Sequence, residues 1–337
     1  MDKKKGEILL KIFILAGFCL FVWWELFYKQ DIHLLVQAFL SQTDKGDVRL
    51  LLTAIALVPV NWSLETLKWW LLVLEFEKIG FFKALKSVLI GVAIGVFTPG
   101  RIGEYGGRSV AVSGENVVES IAATFLGSIS QLIATIFFGL IGVAIFLHHH
   151  SMASGLLLWS LSVFGTGFFL LLLFLFYNAS IFADLAARFY RRAVSHLSIL
   201  KRFKKLLLYW LEHVKILQKY SSRQFTNTLF TALIRYAVYS LQYLLLLKFM
   251  GIEVEIVAGL SAIATVFLLQ SSIPLPPVSG LVARGGTALY IWQFYSANQV
   301  AILATTFCLW ILNVIFPAIL GLSLLIETDI FRLNEKK

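Results

Sequence analysis

Phe97 to Arg108 read FTPGRIGEYGGR: a proline, four glycines, two arginines and a glutamate at the end of the apolar run SVLIGVAIGVF. The chain around this stretch is built for lipid. Of its 337 residues 59% are hydrophobic and only 14% charged, and 29 are phenylalanine, which excludes the composition of an ordinary soluble domain. No Pro/Ser-rich or charged linker divides it, so residues 1–337 read as a single integral membrane domain.

A membrane crossing needs about 20 consecutive apolar residues. Six stretches qualify, at about 7–28, 49–74, 118–147, 155–177, 226–249 and 299–326. Two further regions, about 81–110 and 257–296, are apolar but broken in the middle. The start, with Lys3, Lys4 and Lys5 before an apolar stretch, imitates a signal peptide but shows no small-residue cleavage site, and is expected to stay as a helix.

Basic residues set the expected orientation, because short cytoplasmic loops are rich in Lys and Arg. Residues 178–224 hold ten of the 29 Lys and Arg against only Asp184 and Glu212, which puts this loop inside. Lys3–Lys5 put the N-terminus inside, and Lys78, Lys83 and Lys86 do the same for the segment after the second span. The Gly251–Glu255 bridge, acidic and without a base, suits the outside. Two full spans separate Lys86 from Asn178, so the broken region 81–110 must enter and return on the cytoplasmic side. The same parity makes 257–296 enter and return from outside and brings the C-terminus in. The expected fold is therefore all-α and polytopic, with about six full transmembrane helices plus two re-entrant broken-helix hairpins, in the cytoplasmic (inner) membrane.

The broken regions resemble each other. TPGRIGEYGGR and PLPPVSGLVARGG both follow an apolar stretch, place proline and glycine at the turn, and end in an arginine beside paired glycines. They lie about 176 residues apart, from Glu104 to Gly280, and each follows a span with unusual polar content: Asn61, Glu65 and Lys68 in the first, Arg235 and Gln242 in the second. Three crossings between the copies would invert one against the other, as repeat 1 (about 49–147) and repeat 2 (about 226–326) of an inverted-repeat transporter with a midplane site.

Irregular backbone at membrane depth is tolerated where protein or a wet cavity surrounds it. Pro99, Gly100, Gly103, Gly106 and Gly107 in the first hairpin, and Pro276, Pro277 and Gly280 in the second, are the expected hinge residues. Free N–H groups at the start of the outgoing half-helix, with Arg101 and Arg108, make a place for an anion. Each buried charge costs about 2.5 to 3.5 kcal/mol on insertion scales, so Glu65, Lys68, Arg101, Glu104, Arg108, Arg235 and Arg284 are the candidate substrate-binding residues. Glu104 and Glu65 would sense a cationic headgroup or a proton. The plainer alternative is a cytoplasmic loop joining two short helices, with Glu104 pairing one of the arginines and Glu65 neutralising Lys68 three residues on.

Other features point to packing or to the membrane surface. Cys19 and Cys308 sit in apolar runs and read as core. His148–His150 lack nearby Asp, Glu or Cys and read as an interfacial polar cap rather than a metal site. Leu200, Phe203, Leu207, Trp210, Val214 and Leu217 recur at helical spacing among bases, as in an amphipathic helix lying on anionic headgroups. No nucleophile elbow, phosphate-binding loop, metal-spaced Cys/His set or acidic pair occurs, so no catalytic residue, metal or cofactor is expected and a transporter is favoured over an enzyme.

FTPGRIGEYGGR, IPLPPVSGLVARGG and the order of spans resemble the lysylphosphatidylglycerol synthase transmembrane-region family, or flippase-like domain, over nearly the whole chain. Pro99, Gly100, Gly103 and Glu104 match its first motif. In the second motif Ser279, Val282 and Gly285 stand where the family has two glycines and an acid. The family includes the membrane part of the multiple peptide resistance factor, which moves aminoacylated phosphatidylglycerol between leaflets; the aminoacyl-transferring domain is not expected in a chain ending at Lys337. The resemblance implies a flippase-like transporter of an anionic or aminoacylated phospholipid, or another phosphate-bearing lipid. Its headgroup would lie between the hairpin tips on Arg101, Arg108 and Arg284. The alternatives are a membrane-embedded transferase, or an accessory protein, for polyprenyl-phosphate-linked glycolipids. Expected partners are membrane lipids and anionic headgroups, with a second copy or a lipid-modifying enzyme as candidate protein partners, and no nucleic acid.

Overall fold

The computed structural model describes Ala16 and residues 32–96, 98–179, 214–272 and 280–327. The expected first span (7–28) apart from Ala16, with Cys19, Pro276, Pro277 and most of the basic loop with its amphipathic helix, lies outside the described residues. Everything regular among the described residues is helical.

The chain runs through α1 (Ile32–Lys45), α2 (Val48–Val73), α3 (Phe81–Gly95), α4 (Ile102–Arg108), α5 (Val117–His149) and α6 (Gly155–Tyr177). It continues, beyond residue 213, through α7 (Ser222–Phe249), α8 (Ile256–Ser272), α9 (Gly280–Trp292), α10 (Gln299–Trp310), a π-helical turn at Ile311–Ile315, and α11 (Phe316–Ile326). Five helical stretches are long and apolar enough to cross a membrane: Val48–Val73, Gly114–His149, Gly155–Tyr177, Ser222–Phe249 and Gln299–Ile326. They coincide with the five expected spans that fall in the described residues, so the protein is an all-α, multi-pass membrane protein. α1 has no counterpart among the expected elements; it packs on α10 and sets Phe39 against Phe249 of α7.

Local chemistry explains the ends of the long helices. Asp47 accepts from Arg49 N at the start of α2, Ser154 caps α6, and Ser221 with Gln224 forms a capping box for α7. Asn298 caps α10 through Ala301 N.

α3, with 15 residues, rises about 22 Å and cannot cross a hydrocarbon core of about 30 Å. The turn that follows takes Gly100 and Arg101 into the left-handed region, at φ 61° and 58°. α4 then returns along α3. After it, Ser113 and Asn116 donate to the Glu77 carboxylate at 2.8 to 3.0 Å, beside the start of the hairpin. Ser87 of α3 accepts from Ala111 N and donates to Arg108 O, which terminates α4. The chain thus comes back to the end of the molecule from which it entered.

Two turns containing three glycines would not be helical alone. α4 is held by close packing. A Cβ on Gly107 would lie 2.6 Å from Gly91 Cα, and one on Gly103 would lie 2.7 Å from Ile94 O. On the other side α3 is clasped by α11, where a Cβ on Gly321 would fall 2.0 Å from Leu89 O. Of the glycines expected as hinges in the first hairpin, only Gly100 occupies the turn. Gly103 and Gly107 lie inside α4 as close-approach residues, and Gly106 faces open space. The reason is physical: a missing Cβ serves close helix contact as well as it serves a turn.

Candidate functional site

Six of the seven charges expected from sequence to matter converge on one place. α2 brings Glu65 and Lys68, α4 brings Glu104 and Arg108, the turn before α4 brings Arg101, and α7 brings Arg235. Lys68 Nζ lies 2.7 Å from Glu65 Oε2, and Arg108 Nη2 lies 2.7 Å from Glu65 Oε1. Arg108 also pairs with Glu104, whose second oxygen is 2.9 Å from Arg101 Nε. Arg235 joins at Glu65 Oε2, 3.3 Å away. The result is a chain of alternating charge, Lys68–Glu65–Arg108–Glu104–Arg101, branched at Glu65 by Arg235.

Depth varies along this chain. The Lys68 and Arg108 side chains are 1% and 3% exposed, whereas Arg101 is 42% exposed. An unpaired charge at such depth would be untenable, and the alternation of sign is what lets the inner members stay ionised. Among these six residues four are cationic and two anionic, so the network carries two surplus positive charges.

The backbone makes room for it. A Cβ on Gly91 would lie 2.7 Å from Arg108 Cγ, one on Gly95 3.0 Å from Glu104 Cβ, and one on Gly127 of α5 3.4 Å from Lys68 Cε. Gln131 of α5 accepts from Arg235 Nη1 at 3.0 Å, and the Arg235 guanidinium lies 5.9 Å from the ring centre of Trp62. Sequence reasoning missed Gln131, Trp62, Gly91 and Gly95. The spacing Gly91-x-x-x-Gly95 on an apolar helix was the available signal.

Arg284 is carried by α9. Its charge, with those of Arg101 and Arg235, acts on the Tyr239 hydroxyl of α7. Gln270 of α8 donates to Thr287 at 3.1 Å, tying α8 to α9. Gly280 begins α9. Gln242 does not join the network; it donates to Ala54 O at 2.9 Å and packs α7 on α2.

Two expectations change. The start of α4 does not simply offer free N–H groups to an anion, because Thr98 Oγ1 accepts from Gly103 N at 2.7 Å. Anion attraction here rests on side chains. Asn61 also finds a partner that sequence did not suggest, donating to Asn313 Oδ1 at 2.6 Å within the π-helical turn.

No curated protein matches the chain. The profile of a family described as the lysylphosphatidylglycerol synthase TM region matches residues 8–321, from before the first described helix to within α11. The chain therefore belongs to the lysylphosphatidylglycerol synthase transmembrane-region family.

Proposed function

We propose that this protein is a flippase-like transporter that moves a phosphate-bearing lipid between leaflets, with the network on α2, α4 and α7 as its headgroup site. The family places it in lipid-related membrane biology; the substrate and the transport step are our reading. One observation carries it. A buried network with two surplus positive charges ends at Arg101, half-exposed at the hairpin turn. That is the electrostatics wanted by a phosphate entering from the side while its acyl chains stay outside the network.

Within this reading Arg101 and Arg284 meet the phosphate, and Arg235 adds to the attracting field. Glu104 and Glu65 hold the arginines in place and offer a carboxylate to a cationic headgroup extension. Lys68 and Arg108, enclosed by their partners, keep the network assembled. The order of a long helix, a short pair and a long helix occurs at α2–α5 and again at α7–α11, which supports an inverted repeat. The Lys-bearing start of α3 and the basic loop suit the cytoplasmic face of the inner membrane, with both termini inside.

The test is transbilayer movement of a fluorescent phosphatidylglycerol in proteoliposomes containing the full chain. Wild type should accelerate it, and Arg101→Ala should slow it about tenfold or more, as expected for a charge-assisted contact. Equal rates for wild type, Arg101→Ala and empty vesicles would overturn the reading.

A further inference from the structure

α4 has a second face. Opposite its ion pairs lies a groove of about 660 Å³ against α5, lined among others by Ile94, Ile102, Tyr105, Gly106, Ile121 and Phe125. Its lining is almost wholly apolar. Ile102 is 69% and Phe125 52% exposed, so the groove opens outward from the helix bundle. Nothing within 4 Å would meet a Cβ on Gly106, which forms part of its floor, or on Gly100, at its end next to Arg101.

We propose that this groove seats one acyl chain of a phosphate-bearing membrane lipid whose phosphate lies on Arg101; the inference rests on the headgroup reading above and adds where the tail goes. Size and charge both argue for this occupant. At roughly 30 Å³ per water-sized group, the volume holds on the order of 20 such groups, enough for one acyl chain and too few for two. The groove ends beside an arginine backed by a positively charged network, so a molecule apolar along its length and anionic at one end is complementary to both parts. The bilayer is as apolar as the groove, so moving a tail into it gains no hydrophobic free energy. Selectivity must come from fitted contacts along the chain and from the phosphate at Arg101. α4 would then carry the lipid on both faces, tail outside and headgroup inside, which lets the hairpin turn act on a single substrate molecule.

The experiment uses the full-length protein in nanodiscs containing phosphatidylglycerol with a photoreactive diazirine in one acyl chain, with adducts mapped by mass spectrometry. Adducts should be enriched at Ile102, Tyr105 and Phe125 relative to Phe164 and Phe168 on the exposed face of α6. Gly106→Leu, which fills the floor without meeting a neighbouring atom at its Cβ, should lower groove adducts about threefold or more, the scale of several lost dispersion contacts. Ile102→Trp, at an exposed position, should do the same by blocking the mouth and serves if Gly106→Leu does not fold. Adducts at the groove no denser than on α6, or unchanged by the variant that folds, would overturn the acyl seat. Arg101→Ala separates the two readings. Loss of groove adducts in Arg101→Ala supports the joined tail and phosphate. Adducts sensitive to Gly106→Leu but indifferent to Arg101→Ala keep the groove and remove the phosphate contact, while slowed transport with no groove enrichment keeps the headgroup site and removes the seat.

Discussion

Arg101 is the residue where strain and charge meet. It holds a left-handed conformation, φ 58° and ψ 28°, which costs a residue with a side chain about 1 kcal/mol or more. Glycine relieves that cost, and the half-exposed pair with Glu104 contributes little stability to set against it. Arg101→Gly is therefore expected to leave the thermal midpoint in detergent unchanged or slightly higher while transport falls about tenfold. Arg108→Ala should behave oppositely. It removes the partner that Glu65 and Glu104 share in a buried site, leaving Glu65 to Lys68 and Arg235 and Glu104 to the half-exposed Arg101, so the midpoint itself should drop. A scan of melting against transport for the two variants checks both. The charged members were legible in sequence because a charge inside an apolar run is expensive and stands out. Gln131 and Trp62 were not, because a neutral amide or an indole in a span is ordinary and only Arg235 lying beside them gives them a role.

At the scale of elements, the first hairpin stands on backbone approach. Gly321→Ala would push a methyl into the Leu89 carbonyl, and Gly107→Ala would push one into Gly91. Overpacking of this kind costs about 1 to 3 kcal/mol, and more where backbone meets backbone. Both variants should lose folded protein on size-exclusion chromatography, Gly321→Ala the more. Gly286→Ala, on α9 with open space at its Cβ, should be tolerated and gain about 0.5 to 1 kcal/mol of helix preference. The existence of the hairpin was readable because proline and glycine interrupt an apolar run. The division of labour among its glycines was not, since a turn and a close contact ask for the same missing atom. α1 also escaped notice, because 14 residues of mixed polarity are too short to register as a crossing.

For the whole molecule, the contacts of Glu77 with Ser113 and Asn116 require residues before and after the first hairpin to share a face. In a chain with Cys19 and Cys308 replaced by serine, Lys83→Cys and Ser113→Cys should react with an impermeant maleimide from one side of the membrane and Glu253→Cys from the other. Reaction of Ser113→Cys together with Glu253→Cys would disprove the hairpin. The return of the chain to Glu77 was expected from counting charges and crossings, without any knowledge of packing. The last span shows what such counting leaves out. Phe316 N–H reaches back to Ile311 O across the π-helical turn, which absorbs one residue more than a regular ladder holds. Asn313 and Gly321 are eight positions apart, and at 100° per residue a regular helix would aim them about 80° apart; the residue absorbed in the wide turn, in which Asn313 itself sits, narrows that offset. The wide turn therefore works as a phase corrector, keeping one half of the helix aimed at Asn61 and the other at Leu89. Removing Val314 should preserve both aims and the folded state, whereas inserting one alanine after it should cost one of them and lower the thermal midpoint, so in this helix a shorter chain is the gentler change.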